Sequence, residues 1–383
     1  MSKLDELIAE FCPDGVEYRR VGDIADYEQP SKYLVKSTDY NDNFEIPVLT
    51  AGQTFILGYT NEKEGIYDAS PEKPVIIFDD FTGAFKWVDF PFKAKSSAMK
   101  MITSKRDVLI RYLYHLMGFL NYSSDEHKRL WISVYSELQV PVPPLEVQRE
   151  IVHILDCFTL LTAELTAELT ARKKQYEFYR DNLIKKEQHI TEVKKLADVA
   201  NIYDSLHQTP SYSNSGYSMV RVQDIKGGYV DEDKILKVDE SVWNLFTQKY
   251  TPQLNDIVVS RVGSYGNFAL IPNDKCCLGQ NVALIHPNIN PKYLYHVLMS
   301  TMTKQWINNN VKGASQKSFS LADIKRVPVP VPKDNIQQRI AEVLDNFESI
   351  CTNLSIGLPA EIEARQKQYE YYRDKLLSFK ELS

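Results

Sequence analysis

The sequence predicts an α+β fold in which two β-rich domains are separated by a pair of long antiparallel helices, with a pseudo-two-fold internal repeat. The first observation is a duplication, because RKKQYEFYRDNLI at residues 172–184 returns as RQKQYEYYRDKLL at residues 365–377, 193 positions later. The second is a stretch from residue 148 to residue 183 without proline or glycine, which is too long a helix for one small domain. The third is the β-rich sequence before each long helix. A repeat of this length indicates duplicated domains, not a solenoid.

Composition agrees with two ordinary globular domains. The 383 residues are 43% hydrophobic and 25% charged, which is typical of soluble proteins. Five cysteines form no Cys-x-x-Cys pair, so we expect neither a zinc site nor a disulfide framework, and a reducing cytoplasm as the compartment. No apolar stretch is long enough for a bilayer, so no membrane partner is expected. The net charge of −6 argues weakly against a protein that binds nucleic acid without the help of partner proteins.

The first domain is predicted over residues 1–144 and the second over residues 188–332. Runs rich in β-branched residues mark their strands, with Gly, Pro and Asn at the breaks. The strand candidates are residues 47–50, 75–78, 220–222, 256–260 and 282–285. Each domain then has a helix with the sequence Tyr-Leu-Tyr-His. His115 and His296 recur there on an apolar helix, so we predict packed structural residues and no metal ligands.

The long helices are predicted over residues 145–187 and 333–383, each entered through a Val-Pro-Val-Pro connector whose prolines favour extended chain. Apolar residues follow three- and four-residue steps along the first helix, as in a helix pair. This stripe comprises Ile151, Leu155, Phe158, Leu161, Leu165, Leu169, Tyr176, Tyr179 and Leu183. The pairing should be antiparallel, because the chain builds a whole domain between the two helices. Residues 357–359 (Gly-Leu-Pro) should interrupt the second helix.

Inside the first helix the tetrapeptide TAEL occurs twice in tandem, at residues 162–165 and 166–169. Each copy adds about 6 Å of helix, so the tandem is interpreted as a length module of a spacer helix. Its spacer residues are Thr162, Leu165, Thr166 and Leu169. The alternative is favourable helix composition with leucine on the packed face.

No motif in the sequence indicates a catalytic residue or a metal site. A phosphate-binding Gly-x-x-x-x-Gly-Lys-Ser/Thr loop, a Gly-x-Gly-x-x-Gly loop and an Asn/Asp-Pro-Pro-Tyr tetrapeptide are all missing from the 383 residues. Glu232-x-Lys234 imitates half of a nuclease metal site, but such triplets are common by chance. The alternatives that stay open are a coiled-coil adaptor without sequence specificity and a nuclease or methyltransferase fragment.

The best local signal for DNA contact is residues 260–266 (SRVGSYG), directly after a predicted strand. Glycines let backbone N–H groups approach a phosphate, and the guanidinium of Arg261 can donate two hydrogen bonds to guanine. An ordinary turn is the alternative. The counterpart at residues 79–83 is acidic, and it either accepts a hydrogen bond from cytosine or supports a neighbouring lysine. The predicted DNA contacts are Lys93, Lys95, Ser96, Lys100, Lys128, Arg129, Ser260, Arg261, Ser264, Tyr265, Lys312, Gln316 and Lys317.

These features together resemble the DNA specificity subunit of type I restriction-modification systems, over essentially the whole chain. The resemblance is carried by the Val-Pro-x-Pro connectors, the Gln-rich helix entries at residues 148–151 and 337–340, and the repeated Lys-Gln-Tyr-x-x-Tyr-Arg-Asp endings. The TAEL tandem is similar to that of the type IC subgroup. Residues 33–36, 49–53 and 78–81 also resemble a type IC target-recognition domain.

The resemblance implies a non-catalytic protein of host defence that binds double-stranded DNA. Each β-rich domain would be a target-recognition domain that reads one half of a bipartite adenine-containing site. The helices would set the spacer and dock two methyltransferase subunits, and restriction or motor subunits would join for cleavage. The chain itself would bind no cofactor, because S-adenosylmethionine belongs to the methyltransferase partner and ATP and Mg²⁺ belong to the motor and nuclease partner.

Overall fold

The structure is a computed structural model that describes residues 2–52, 54–122, 129–232, 234–271, 273, 275–311, 318–352 and 357–382. The chain divides into two compact units. Unit 1 comprises Met1–Glu164 and Ile362–Ser383, and unit 2 comprises Leu165–Glu361. Within the described ranges, every helix is too short or too polar to cross a membrane.

Short strands and short helices make up the chain as far as residue 141. The elements are α1 (Lys3–Phe11), β1 (Tyr18–Arg20), α2 (Val21–Ile24), β2 (Ala25–Glu28), β3 (Ile46–Leu49), β4 (Ile56–Thr60), β5 (Val75–Asp79), β6 (Phe85–Val88), β7 (Lys93–Ala94), β8 (Met99–Ser104), α3 (Ile110–Leu120), α4 (Leu130–Ser133) and β9 (Gln139–Pro141).

The rest of the chain begins with a long helix and ends with two more. Its elements are α5 (Leu145–Ile190), β10 (Val193–Lys195), α6 (Leu196–Val199), β11 (Ala200–Asp204), β12 (Tyr217–Val220), β13 (Leu236–Val238), α7 (Glu240–Phe246), β14 (Ile257–Ser260), β15 (Phe268–Leu270), β16 (Cys276–Leu278), β17 (Val282–Pro287), α8 (Pro291–Met299), α9 (Thr301–Asn310), α10 (Leu321–Arg326), β18 (Pro328–Pro330), α11 (Asp334–Thr352) and α12 (Leu358–Leu376).

Unit 1 is built on an antiparallel four-stranded sheet with the order β2-β8-β5-β6. A smaller sheet has the order β4-β3-β7, and β1 pairs with β9. The central strand β5 is buried on both faces, since Ile76 and Phe78 pack into the core around α3 whereas Val75 and Ile77 pack into a second core. This explains why β5 is a continuous apolar run in the sequence and not an alternating one.

Unit 2 repeats this topology strand for strand. Its sheets have the orders β11-β17-β14-β15 and β13-β12-β16, and β10 pairs with β18. Both Val-Pro-Val-Pro connectors form the last strand of their unit, β9 and β18, as their extended sequence predicts. The predicted α+β class with two β-rich regions and an internal repeat is therefore confirmed.

One predicted strand, at residues 220–222, is only partly correct. Strand β12 ends at Val220, and a 3₁₀ turn follows at Val222–Asp224. The carboxylate of Asp224 accepts hydrogen bonds from the backbone N–H of Arg221 at 2.9 Å and from its guanidinium at 2.7 Å and 2.8 Å. This local side-chain bond turns the chain, although the residue types favour a strand.

The long helix α5 spans Leu145–Ile190, whereas the sequence places the central helix over residues 145–187. In unit 2 it runs antiparallel to α11, because the ring centroids of Tyr179 and Phe347 lie 5.5 Å apart whereas the earlier Lys173 lies by the later Cys351. In unit 1 Phe158 of α5 stacks on a tyrosine of α12 at 5.2 Å. Helix α11 ends at Thr352 and α12 begins at Leu358, where Gly-Leu-Pro predicts an interruption.

Buried histidines join the β-rich part of each unit to its long helices. In unit 1, His115 Nδ1 lies 3.0 Å from the Tyr369 hydroxyl and Nε2 lies 2.9 Å from the Asp156 carboxylate. In unit 2 the equivalent atoms are 2.9 Å and 2.8 Å from their partners. The equivalent residues are His296, Tyr176 and Asp345. Both histidines are fully buried, so they are packed structural residues, as predicted.

Candidate nucleic-acid interface

The last residue of β14 and the loop that follows it in unit 2 contain four of the predicted contact residues. Ser260 is fully buried, and its hydroxyl donates to the Ser264 carbonyl at 2.5 Å and accepts from the Asn267 N–H at 3.1 Å. Ser260 therefore shapes the loop from inside and does not reach its surface. Tyr265 is half-buried against the unit 2 core.

Gly263 and Ser264 form the exposed tip of this loop. Gly263 has φ +72°, and a Cβ atom there would meet nothing within 4 Å. The glycine is thus required by the left-handed backbone and not by crowding, which leaves open space over the tip. Of the four residues, only Ser264 is exposed.

The guanidinium of Arg261 is used inside unit 2. It forms an ion pair with Asp204, and its Nε donates to the Phe319 carbonyl at 3.4 Å, with 14% of the side chain exposed. Presenting its fork to guanine would break this pair. The predicted role of Arg261 in base reading is therefore replaced by an internal one.

The tip borders an open groove of about 440 Å³ in unit 2. Guanidinium, amide and hydroxyl groups line it, and these are the groups that read base edges. The polar lining residues are Thr209, Tyr212, Arg221, Gln223, Ser264, Gln280 and Asn281. Asp224 holds the Arg221 guanidinium in a bidentate pair, which raises the pKa of Arg221.

Most of this groove was missed from the sequence. Apart from residues 262–264, its residues come from three separate segments, around positions 210, 222 and 280, and none of these three carries a basic run. The sequence does carry one signal for part of the groove, because Gly279 and Asn281, two residue types typical of turns, flank Gln280. Asn281 has φ +62°.

The equivalent loop of unit 1 begins at Asp79, whose Oδ1 accepts the N–H groups of Phe81 and Thr82 at 3.0 Å and 2.9 Å. Asp80 is buried, and its carboxylate binds Lys100 at 3.2 Å and accepts the Trp131 N–H at 2.9 Å. The acidic loop therefore supports a neighbouring lysine, which is one of the two predicted interpretations.

Two lysines of the predicted contact set are internal. Lys93 is 1% exposed, with its ammonium 2.8 Å from the Glu62 carboxylate and 2.6 Å from the Glu64 carbonyl. Burial would raise the pKa of Glu62, but hydrogen bonds from Lys93 and two backbone N–H groups hold it at about 2. Lys100 is fully buried. Because a phosphate contact would require breaking these ion pairs, we remove Lys93 and Lys100 from the contact set.

Three other predicted contacts of unit 1 stay at the surface. Lys95 is half-buried and donates to the Tyr40 hydroxyl at 3.1 Å, while Ser96 and Arg129 are exposed. Four predicted contacts lie outside the described residues. These are Lys128, Lys312, Gln316 and Lys317.

The tandem TAEL lies in the middle of α5. Leu165 and Leu169 are half-buried, as is Thr162, whose hydroxyl donates to the Phe158 carbonyl at 2.9 Å, and Thr166 is exposed. The division between the two units falls between Glu164 and Leu165, inside the first tetrapeptide.

One group of possible metal ligands lies in unit 2. Ligand atoms of His296, Asp345 and Glu348 fall within 4.8 Å of one another. Each has an internal partner, since His296 bonds to Asp345 and Glu348 accepts from the Tyr295 hydroxyl at 2.6 Å. The group is therefore explained by internal hydrogen bonds.

A family model described as "Type I restriction modification DNA specificity domain" matches residues 13–172 and again residues 190–364. The chain belongs to this family. The two matches fall on the two copies of the internal repeat. The protein is a specificity subunit of a type I restriction-modification system, as the sequence resemblance predicts.

Relatives of known name agree with this assignment. The chain is 44% identical over 401 residues to the EcoR124I/EcoR124II specificity subunit of Escherichia coli, covering 99% of this chain and 97% of the relative. It is 24% identical to the EcoBI specificity subunit of Escherichia coli, covering 82% and 76% of the two chains.

Solved structures show the same fold. The S subunit of a type I restriction-modification system from M. genitalium is 12% identical and has a TM-score of 0.57, over 95% of this chain and 96% of that chain. A chain from a study of complex assembly and conformational transition of the type I system is 14% identical, with a TM-score of 0.51 over 95% and 98%.

Proposed function

We propose that this specificity subunit directs adenine methylation and restriction to a bipartite DNA site, with each β-rich unit reading one half. The observation that carries the proposal is the combination of one scaffold with two different surfaces. The strand order is the same in both units, but the loop after the central strand exposes Phe81 and Thr82 in unit 1 and Gly263 and Ser264 in unit 2. Equal scaffolds with unequal loops suit the reading of two different base sequences.

In unit 2 the proposed reading surface is the groove beside Ser264. Amide side chains such as Gln223 and Gln280 match the edge of adenine, and exposed hydroxyls such as Thr209 suit phosphate or sugar contacts. In unit 1 the proposed contacts are Lys95, Ser96 and Arg129. Few exposed cations contact phosphate groups in these two proposed surfaces, which fits a protein whose net charge is −6.

The long helices are the proposed docking surface for two methyltransferase subunits. Phe178 and Tyr371 occupy the same position in the two duplicated strings and are 64% and 62% exposed. An exposed aromatic residue retained in both copies suits a partner that binds twice by the same contact.

The chemistry is assigned to the partners of this non-catalytic chain. The methyltransferase subunits would bind S-adenosylmethionine, and the restriction or motor subunits would use ATP and Mg²⁺ for cleavage. The proposed site of action is the cytoplasm, where the DNA of the cell meets these enzymes.

The decisive experiment maps methylated adenines in DNA from cells that express this chain with its methyltransferase partner. We expect a bipartite motif in wild type. Deletion of residues 166–169 should shorten its spacer by about one or two base pairs, because about 6 Å of helix is lost and base pairs are spaced by about 3.4 Å.

The matched control replaces residues 166–169 with four other helix-forming residues and should keep the wild-type spacer. Both half-sites should be unchanged in all three proteins. A folded, assembled complex that methylates no bipartite motif would contradict the proposed function and favour a structural adaptor.

A further inference from the structure

Each unit buries one ion pair at the base of the loop that follows its central strand, and the polarity is reversed between the units. In unit 1 the loop residue is the acid, with Asp80 3.2 Å from Lys100. In unit 2 the loop residue is the base, with Arg261 paired to Asp204. The side chains of the unit 1 pair are 2% and 0% exposed, and those of the unit 2 pair are mostly buried.

The strand registers show that the two loop residues are equivalent. Strand β5 pairs with β8 so that Asp79 lies opposite Met99, and β14 pairs with β17 so that Ser260 lies opposite Val282. The next residue in each loop is Asp80 or Arg261. The partners lie on strands that are not equivalent. Lys100 lies on β8, which is equivalent to β17, whereas Asp204 is the last residue of β11, which is equivalent to β2.

Backbone bonds make the same residue a junction in both units. The N–H of Asp80 donates to Ala98 at 3.0 Å, and its carbonyl accepts from Leu130 at 2.8 Å. In unit 2 the bonds are the same. The N–H of Arg261 donates to Asn281 at 2.9 Å, and its carbonyl accepts from Phe319 at 2.8 Å.

We propose that these buried ion pairs, Asp80 with Lys100 and Arg261 with Asp204, are positioning devices that fix the adjacent loop and thereby set the base preference of one half-site each. The proposal rests on the proposed function. The loop of unit 2 leads directly to Ser264 and the groove, so a shift at Arg261 moves one wall of the reading surface. Both units have an ion pair at this position, but the loop residue is negative in one unit and positive in the other. This is expected if the charges face inward, because the pairing then matters and the sign of the loop charge does not.

The test uses the complete complex of this chain with its methyltransferase partner and a DNA library in which each base of both half-sites is varied. Asp204→Asn leaves Arg261 without its acidic partner, and Lys100→Met does the same to Asp80. Each variant should reduce discrimination against single-base changes about ten-fold in one half-site. The other half-site, read in the same molecule, should keep its wild-type preference, and the two variants should affect different halves.

A second pair of variants separates positioning from general stability. Asp204→Leu with Arg261→Met removes both charges, which commonly preserves folding, and it should assemble yet still show the relaxed half-site. Asp204→Arg with Arg261→Asp reverses the pair and should restore much of the preference. These two double variants also test the proposal if Asp204→Asn fails to fold.

Two outcomes would overturn the inference. One is a parallel loss of methylation at all sites with unchanged base preference, which is the signature of a structural role alone. The other is full preference in the variant that lacks both charges. Failure of the proposed function is distinguishable, because wild type would then show no bipartite motif.

Discussion

The imidazole of His115 joins three distant parts of unit 1 and is sensitive to pH. Burial lowers its pKa below the ordinary value of 6.5, and the hydrogen bond to Asp156 opposes this without outweighing it. The folded state therefore binds this proton less readily than the unfolded state. Its contribution to stability is complete above about pH 6.5 and is lost as the pH falls through that value towards the lower folded pKa.

We expect the free energy of unfolding to fall between about pH 7.5 and about pH 5.5 because of this group. Urea unfolding at both pH values measures it. The variant His115→Gln should show a smaller fall, and equal falls in wild type and variant would contradict the assignment.

The hydroxyl of Tyr369 provides a second test of the same cluster. Tyr369→Phe removes the group 3.0 Å from His115 Nδ1 and should reduce the free energy of unfolding by about 1 kcal/mol. Tyr371→Phe is the matched control, since Tyr371 is exposed, and should change stability little. Urea unfolding curves decide between them, and equal losses would argue against the cluster.

The charged residues show what a sequence cannot supply at this scale. Lys93 and Lys100 are predicted to contact DNA because cations near hydroxyl groups suit phosphate, and Arg261 is predicted to do so because its guanidinium matches guanine. Whether a cation faces inward depends on a carboxylate far along the chain, such as Asp204 for Arg261. Ser264 is exposed, and its contact with DNA stays a prediction.

The elements were predicted more reliably than the contacts. The start of α5 at Leu145 and the interruption before α12 follow from proline and glycine, which act on the backbone directly. The ends were less certain, because no proline or glycine follows α5 before Pro210 and the end of the helix at Ile190 therefore has no such signal in the sequence. Strand residues at 220–222 were misjudged because the Asp224 carboxylate overrides propensity.

The duplicated helical strings carry a prediction about assembly. Phe178→Ala or Tyr371→Ala should each reduce the complex from two methyltransferase subunits to one per chain, because each removes an exposed aromatic contact from one docking surface. Native mass spectrometry measures the stoichiometry. Leu160→Ala is the control, since Leu160 is 62% exposed but lies outside the duplicated strings. Two subunits on both aromatic variants would refute the docking surface.

At the scale of the whole molecule, the internal repeat was the strongest prediction. It fixed the number of β-rich regions and the family, and the strand orders agree copy for copy. The grouping of the helices was beyond the sequence. An apolar stripe indicates that a helix packs but not which partner it packs on, and Ile362–Ser383 turns out to complete the unit that begins at Met1.

This grouping has a consequence for synthesis on the ribosome. The β-rich part of unit 1 is translated first, but Tyr369 and the segment whose Lys380 carbonyl accepts the Val16 N–H are translated last. Leu165–Glu361 contains all of unit 2, so that unit has its full set of residues earlier. Translation of unit 1 therefore begins before that of unit 2, but unit 1 has its full set of residues only after unit 2 has its own.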